Sequence, residues 1–159
     1  MTTSKKIVSI LVPVDFSAHS EAALLFAAEC AGRMEATLKV LHVVHDPGEA
    51  PGYYLVKGRK KQLRRLEDVA NEMLDDFVHR VQEENKDLPA LNKLKTLLVT
   101  GLPVNRILEI AEKSKSKMIV MGSQGRTGLS HIMLGSRAEQ VVRLSPIPVT
   151  IVKQQKKPE

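Results

Sequence analysis

The run Ile7-Val8-Ser9-Ile10-Leu11-Val12 is nearly continuous in apolar character and rich in β-branched residues. A strand with one wet face alternates apolar and polar residues, so a run of this kind belongs to a strand buried on both faces. Helices must then cover both faces, which narrows the fold to a parallel sheet inside an α/β protein.

The rest of the chain supplies the matching parts. Ser17 is placed to cap a helix whose apolar positions are Ala23, Phe26, Ala27, Cys30, Ala31 and Met34. A second strand spans Thr37–Val44, followed by an irregular loop, His45–Gly58, marked by Pro47, Gly48, Pro51 and Gly52. A long helical pattern from about Lys60 to Glu84 carries Leu63, Leu66, Ala70, Met73, Phe77 and Val81 on its core stripe. A third strand is expected over Asn92–Thr100. Gly101 and Pro103 then turn the chain into a helix with Val104, Ile107, Leu108 and Ala111 inward. Met118-Ile119-Val120-Met121 forms a fourth strand, Ser136–Leu144 a fourth helix on Ala138, Val141, Val142 and Leu144, and Ser145–Val152, with Pro146 and Pro148 inside it, a last strand. Five strands alternating with four helices, joined by right-handed crossovers, give an open five-stranded parallel sheet with helices on both faces. The 159 residues are read as one domain, residues 1–159, with a core over about 5–153 and a basic tail over 153–159. Pro148 cannot donate to a sheet ladder, so the last strand is expected at an edge. Its apolar edge, Val149-Thr150-Ile151-Val152, calls for a cover, which antiparallel pairing with a second copy would provide.

Composition narrows the function classes. The formal net charge of +6 invites a nucleic-acid reading, but aromatics make up only 3% of the chain, so stacking platforms are nearly absent. The positive charge gathers at Lys57–Arg65 and in the tail Lys153–Lys157, the pattern of a solvated face and a tail. The first cluster crowds the positive end of a helix macrodipole, so either that first turn frays or a negative partner such as a phosphate sits beside it. The single cysteine, Cys30, excludes an internal disulfide, fits a reducing cytoplasm and lies on an apolar stripe as a core residue. No signal peptide or membrane-spanning helix is expected. His42 lies inside a strand without metal-ligand companions and reads as a core or sheet-face residue.

The functional signal is Gly122–Ser136, GSQGRTGLSHIMLGS, which a strand enters and a helix leaves. Strand, glycine-rich loop, helix is a layout in which backbone N–H groups and a helix N-terminus hold an anion. The spacing, Gly122-x2-Gly125-x9-Gly135-Ser136, matches neither a Walker A loop nor the dinucleotide G-x-G-x-x-G. Gly122 and Gly125 would let the backbone approach a ligand closely and permit positive φ. Gly135-Ser136 would place free N–H groups at a helix start, Arg126 could add a two-pronged contact to a phosphate, and Asp15 could accept from a base amino group or a ribose hydroxyl. The plainer readings are that Ser136-Arg137-Ala138-Glu139 is a capping box, that the glycines only make turns, and that Asp15 only starts a helix. Ligands of open parallel sheets bind beyond the carboxyl ends of the strands where the order reverses. If the first and fourth strands are neighbours, Asp15 and Gly122 open onto that crevice.

Val12–Leu24 (VPVDFSAHSEAAL), Leu41–Val44 (LHVV) and Met121–Val152 (MGSQGRTGLSHIMLGSRAEQVVRLSPIPVTIV) together resemble the universal stress protein family, and the resemblance covers essentially the full chain. It implies a sheet of order 3-2-1-4-5, the adenine nucleotide alpha hydrolase-like arrangement, and a cytoplasmic homodimer joined through Val149, Thr150, Ile151 and Val152. It also implies the ATP-binding branch of the family, because the glycine motif is intact. By position, Pro13, Val14 and Asp15 would border adenine and ribose, and Val43 would meet the base through its backbone. Met121, Gly122, Gly125 and Arg126, with Gly135 and Ser136, would hold the ribose and phosphates.

Two further classes remain open. A slow ATP hydrolase or phosphotransferase would need a base and a metal site near the terminal phosphate, and the loop offers only Gln124 and His131, with no acidic ligand. Mg²⁺ could still arrive with the nucleotide. A basic nucleic-acid binder using Lys57–Arg65 is the other. The expectation is a nucleotide-responsive regulatory or stress-resistance module with a protein partner that the residues do not identify.

Overall fold

The computed structural model describes residues 8–45, 62–125 and 133–154. In chain order these form β1 (Ser9–Pro13), α1 (Ala18–Met34), β2 (Thr37–Val44), α2 (Gln62–Glu84), a 3-10 turn (Pro89–Lys93), β3 (Lys95–Thr100), α3 (Pro103–Lys113), β4 (Met118–Gly122), α4 (Ser136–Leu144) and β5 (Val149–Val152). The strands make one sheet of order β3-β2-β1-β4-β5, every pair parallel. This is the expected α/β architecture.

Alternate side chains of the central strands feed two cores. Ile10, Val12, Val14, Leu38, Val40 and Val120 pack against Ala23, Leu24 and Ala27 of α1 and Leu74, Phe77 and Val81 of α2. On the opposite face Leu11, Leu41, Val43, Ile119 and Met121 meet Ile107 and Ala111 of α3 and Ala138 and Val141 of α4. Burial on both faces is why these strands read as continuous apolar runs.

Three local expectations need correcting. Asn92 and Lys93 belong to the 3-10 turn, not to β3. Pro89 stands in the first turn of that element, where its missing N–H costs nothing, and the turn buries Leu91. On α1 the buried face is Ser20, Ala23, Leu24, Ala27, Ala28 and Ala31, while Phe26 and Met34 are exposed. Small residues let this helix lie close to the sheet, and Phe26 falls off that face. Cys30 is half-buried and packs on the core edge. On α4, Ala138 and Val141 turn inward and Val142 and Leu144 stay exposed.

β5 lies at an edge, as expected. Ile119 N–H donates to the Pro148 carbonyl at 2.9 Å and Ser123 N–H to the Val152 carbonyl at 2.9 Å. In a parallel ladder the peptide groups of alternate residues face alternate sides. Pro148, Thr150 and Val152 therefore face β4, and the N–H and C=O of Val149 and Ile151 face away from the sheet.

Candidate functional site

β1 and β4 are neighbours, but their chains leave in opposite directions. After β1 the chain turns into α1 toward one face, and after β4 it runs to α4 on the other. The strand order reverses between them, and a crevice opens at their carboxyl ends.

On the β1 side, Val14 N–H donates to the Leu41 carbonyl at 2.8 Å, which extends β1's pairing one residue past Pro13. Asp15 follows, held from both directions. Its N–H donates to Ser20 Oγ at 3.3 Å, and its Oδ1 accepts from Ser17 N–H at 3.0 Å. Ser17 caps α1, with its Oγ accepting from Ser20 N–H at 3.1 Å. Two residues beyond Leu41, the peptide groups of Val43 face the same side, past the end of β1's pairing. The Val43 side chain is buried in the core below.

On the β4 side, Met121 is buried and Gly122 is the last strand residue. A Cβ on Gly122 would stand 2.7 Å from the backbone carbon of His19 and 2.8 Å from its carbonyl oxygen. Gly122 is therefore required by the close seating of α1 on β4, a packing role that the loop motif alone does not suggest. The Nδ1 of the same His19 is buried without a hydrogen-bond partner. Gly125 is exposed, and a Cβ there would meet Asp15 Oδ2 at 3.2 Å, which brings the glycine loop against the first strand's carboxylate. Gly135 N–H donates to the Ser123 carbonyl at 2.8 Å, folding the two ends of the motif onto each other. Neither Gly122, Gly125 nor Gly135 has positive φ; among the described glycines that belongs to Gly101. At Gly122 close approach, not backbone freedom, is what selects glycine.

Gly135 is the N-cap of α4 and Ser136 its first residue, with no side-chain cap bond. The capping-box reading of Ser136 and Glu139 is thus wrong, because the hydroxyl that would cap stands one position inside the helix. Arg126, Thr127, Gly128, His131 and the side chains of Lys57–Arg65 lie outside the described residues, as does the loop from 46 to 58. Gln124 donates from Nε2 to the Met133 carbonyl at 3.3 Å.

His42 is the residue whose link to the crevice sequence reasoning missed. It is buried, as a sheet-face histidine should be, yet its Nδ1 lies 2.8 Å from the Val14 carbonyl. A carbonyl only accepts, so Nδ1 carries the proton. Burial pushes the imidazole down to about 4, against the pull of the Val14 carbonyl, which favours the charged ring. His45 adds to the lowering and Asp15 opposes it.

Comparison with known proteins gives a consistent result. The model of the universal stress protein family matches residues 7–153. Universal stress protein MJ0531 of Methanocaldococcus jannaschii is 49% identical over 65 residues, 41% of this chain and 38% of that one. Universal stress protein MJ0577 of the same organism is 32% identical over 152 residues, 91% of this chain and 93% of its own. The solved structure of MJ0577 superposes with a TM-score of 0.68 at 28% identity, covering 94% of this chain and 98% of that one. A universal stress protein from Archaeoglobus fulgidus, solved in complex with dAMP, superposes with a TM-score of 0.62 at 25% identity, covering 92% and 98%.

Two expected outcomes follow from the geometry. Gly122→Ala should lower the urea midpoint by the equivalent of about 1–3 kcal/mol, because backbone must move. Gly135→Ala, whose nearest neighbours stand at 3.5 Å, should cost no more than about 1 kcal/mol. For His42, the unfolded ring titrates near 6.5 and the folded ring near about 4. Its contribution to stability is complete above the unfolded value and is lost as pH falls through the folded one. Between about pH 7 and about pH 5 the wild type should lose on the order of 2 kcal/mol that His42→Asn does not lose, read as the difference between their urea midpoints.

Proposed function

Because the chain belongs to the universal stress protein family, we propose that it binds ATP in the crevice between β1 and β4 and works as a nucleotide-responsive dimeric module in regulation or stress resistance. The observation that carries this reading is the approach of Asp15 Oδ2 to Gly125 across the crevice. It joins a wall able to accept hydrogen bonds from a base or ribose to a glycine loop and a helix start able to hold phosphates. Pro13, Val14, Asp15 and the Val43 backbone form the base and ribose side. Met121, Gly122, Gly125, Gly135 and Ser136, with Arg126, form the phosphate side. The dAMP complex of the Archaeoglobus fulgidus relative supports an adenine nucleotide as the ligand class.

Among the described residues no group of three or more His, Cys, Asp or Glu side chains could hold a metal ion. Mg²⁺ carried in with ATP would be held by its phosphate oxygens. Among the same residues no helix is long and apolar enough to cross a membrane.

For the dimer, the support is the open edge of β5. The outward N–H and C=O groups of Val149 and Ile151 form a pairing template. Antiparallel pairing with a second copy would satisfy these groups symmetrically.

Denaturing the purified protein should release an adenine nucleotide. ATP at a hundredfold excess over its Kd should raise the Tm of the emptied protein by roughly 5–10 °C. A protein that releases nothing and shows no shift with ATP would refute the reading. Gly135→Val should abolish the shift while the protein stays folded, since a Cβ there meets no backbone closer than 3.5 Å. Ile151→Pro removes an outward donor without touching the β4 ladder. It should convert a sedimenting dimer to monomer; a surviving dimer would place the interface elsewhere.

A further inference from the structure

Phe16 has a left-handed backbone, φ 67°, a conformation that a bulky residue keeps only where its surroundings enforce it. Among the described residues two rings pack against it. The imidazole of His42 lies 4.4 Å from the Phe16 ring, centroid to centroid and tilted by 31°. Phe77, reaching in from α2, meets Phe16 edge-on at 5.8 Å. His42 is itself anchored two residues upstream of Phe16, where its Nδ1–H donates to the Val14 carbonyl at 2.8 Å. Phe16 separates Asp15 from Ser17, and its left-handed turn is what brings Ser17 N–H back onto Asp15 Oδ1 at 3.0 Å. The other carboxylate oxygen, Oδ2, is the one that faces Gly125.

We infer that His42 and Phe77 are positioning residues of the nucleotide crevice: they hold Phe16 in its left-handed turn and thereby aim the Asp15 carboxylate at the glycine loop. The inference rests on the nucleotide reading above and deepens it. His42 and Phe77 are buried below the crevice, so they act through Asp15 and not by contact with a ligand. Because Phe77 belongs to α2, the grip on the nucleotide depends on how α2 is seated, and by reciprocity a nucleotide engaging Asp15 favours that seating.

The test is calorimetric titration of ATP into wild type, His42→Leu, His42→Asn and Phe77→Leu, and into the same changes combined with Asp15→Ala. Each is measured at a temperature where circular dichroism shows the variant folded. His42→Leu and Phe77→Leu should each weaken ATP by about tenfold, the worth of one misplaced charged hydrogen bond. His42→Asn keeps an N–H at the δ position and should return to within about threefold of wild type. In the Asp15→Ala background the same substitutions should change affinity by less than about twofold, since the group they aim is gone. A role in general stability alone would leave their cost undiminished there, and that outcome overturns the inference, as does wild-type affinity in both His42→Leu and Phe77→Leu. A wild type that binds no adenine nucleotide removes the nucleotide reading and the inference with it. Binding by wild type with indifferent variants removes the inference alone.

Discussion

The structure depends first on the position of β1, enclosed on both faces and along both edges. Ile10, Leu11 and Val12 have no exposure to solvent. β2 pairs along one edge and β4 along the other, while α1 and α2 cover one face and α3 and α4 the second. Burying such side chains contributes roughly 1.5–3 kcal/mol each, and only a layer of helices on either side supplies the apolar surface to do it. A strand in that position must be entered and left at its ends, so what the chain does just past Pro13 and Gly122 is determined by the need to cross to opposite faces.

That necessity creates the crevice. Two chains diverging from adjacent strands leave peptide groups and a helix start uncovered at the same end of the sheet, which is why open parallel sheets place their ligands there. In this protein the two sides come close enough for Asp15 to meet Gly125. The closeness has two sources. Gly122 lets α1 lie directly on β4, and the left-handed Phe16 turns Asp15 back across the gap. The first is a packing contact and the second a backbone conformation, and they act on the same carboxylate.

Much of this was legible in the residues. The boundaries of β2 and α4 stand as the residues suggest, because each is delimited by a local signal: a β-branched run for the strand and the glycine before Ser136. The last strand starts later than its apolar pattern suggests, at Val149, just past Pro148. The gathering of Asp15 with the glycine motif followed from strand order. What failed did so where a local pattern has two physical meanings. The Ser-x-x-Glu spacing at Ser136 fits a capping box, but the box needs the serine outside the helix, and Gly135 holds that place. Phe26 has helical spacing, yet a face of alanines seats the helix and leaves Phe26 on the flank. At Gly122 the structure adds a packing role that the motif does not suggest: its missing Cβ makes room for His19 of α1.

By itself the sequence determined the class of the fold, the order of its elements, the edge position of β5 and the family to which the chain belongs. These follow from hydrophobic period, proline and glycine placement and motif spacing, all of which act over short stretches of chain. Only the tertiary structure decided which glycine is held by packing, that Ser136 lies inside its helix, and that His42, Phe16 and Phe77 meet beneath Asp15. Those facts depend on contacts between residues 26 to more than 60 positions apart, and on a backbone dihedral that no residue preference would assign to phenylalanine. Periodicity tells which face of an element is buried; what it is buried against is settled when the layers close.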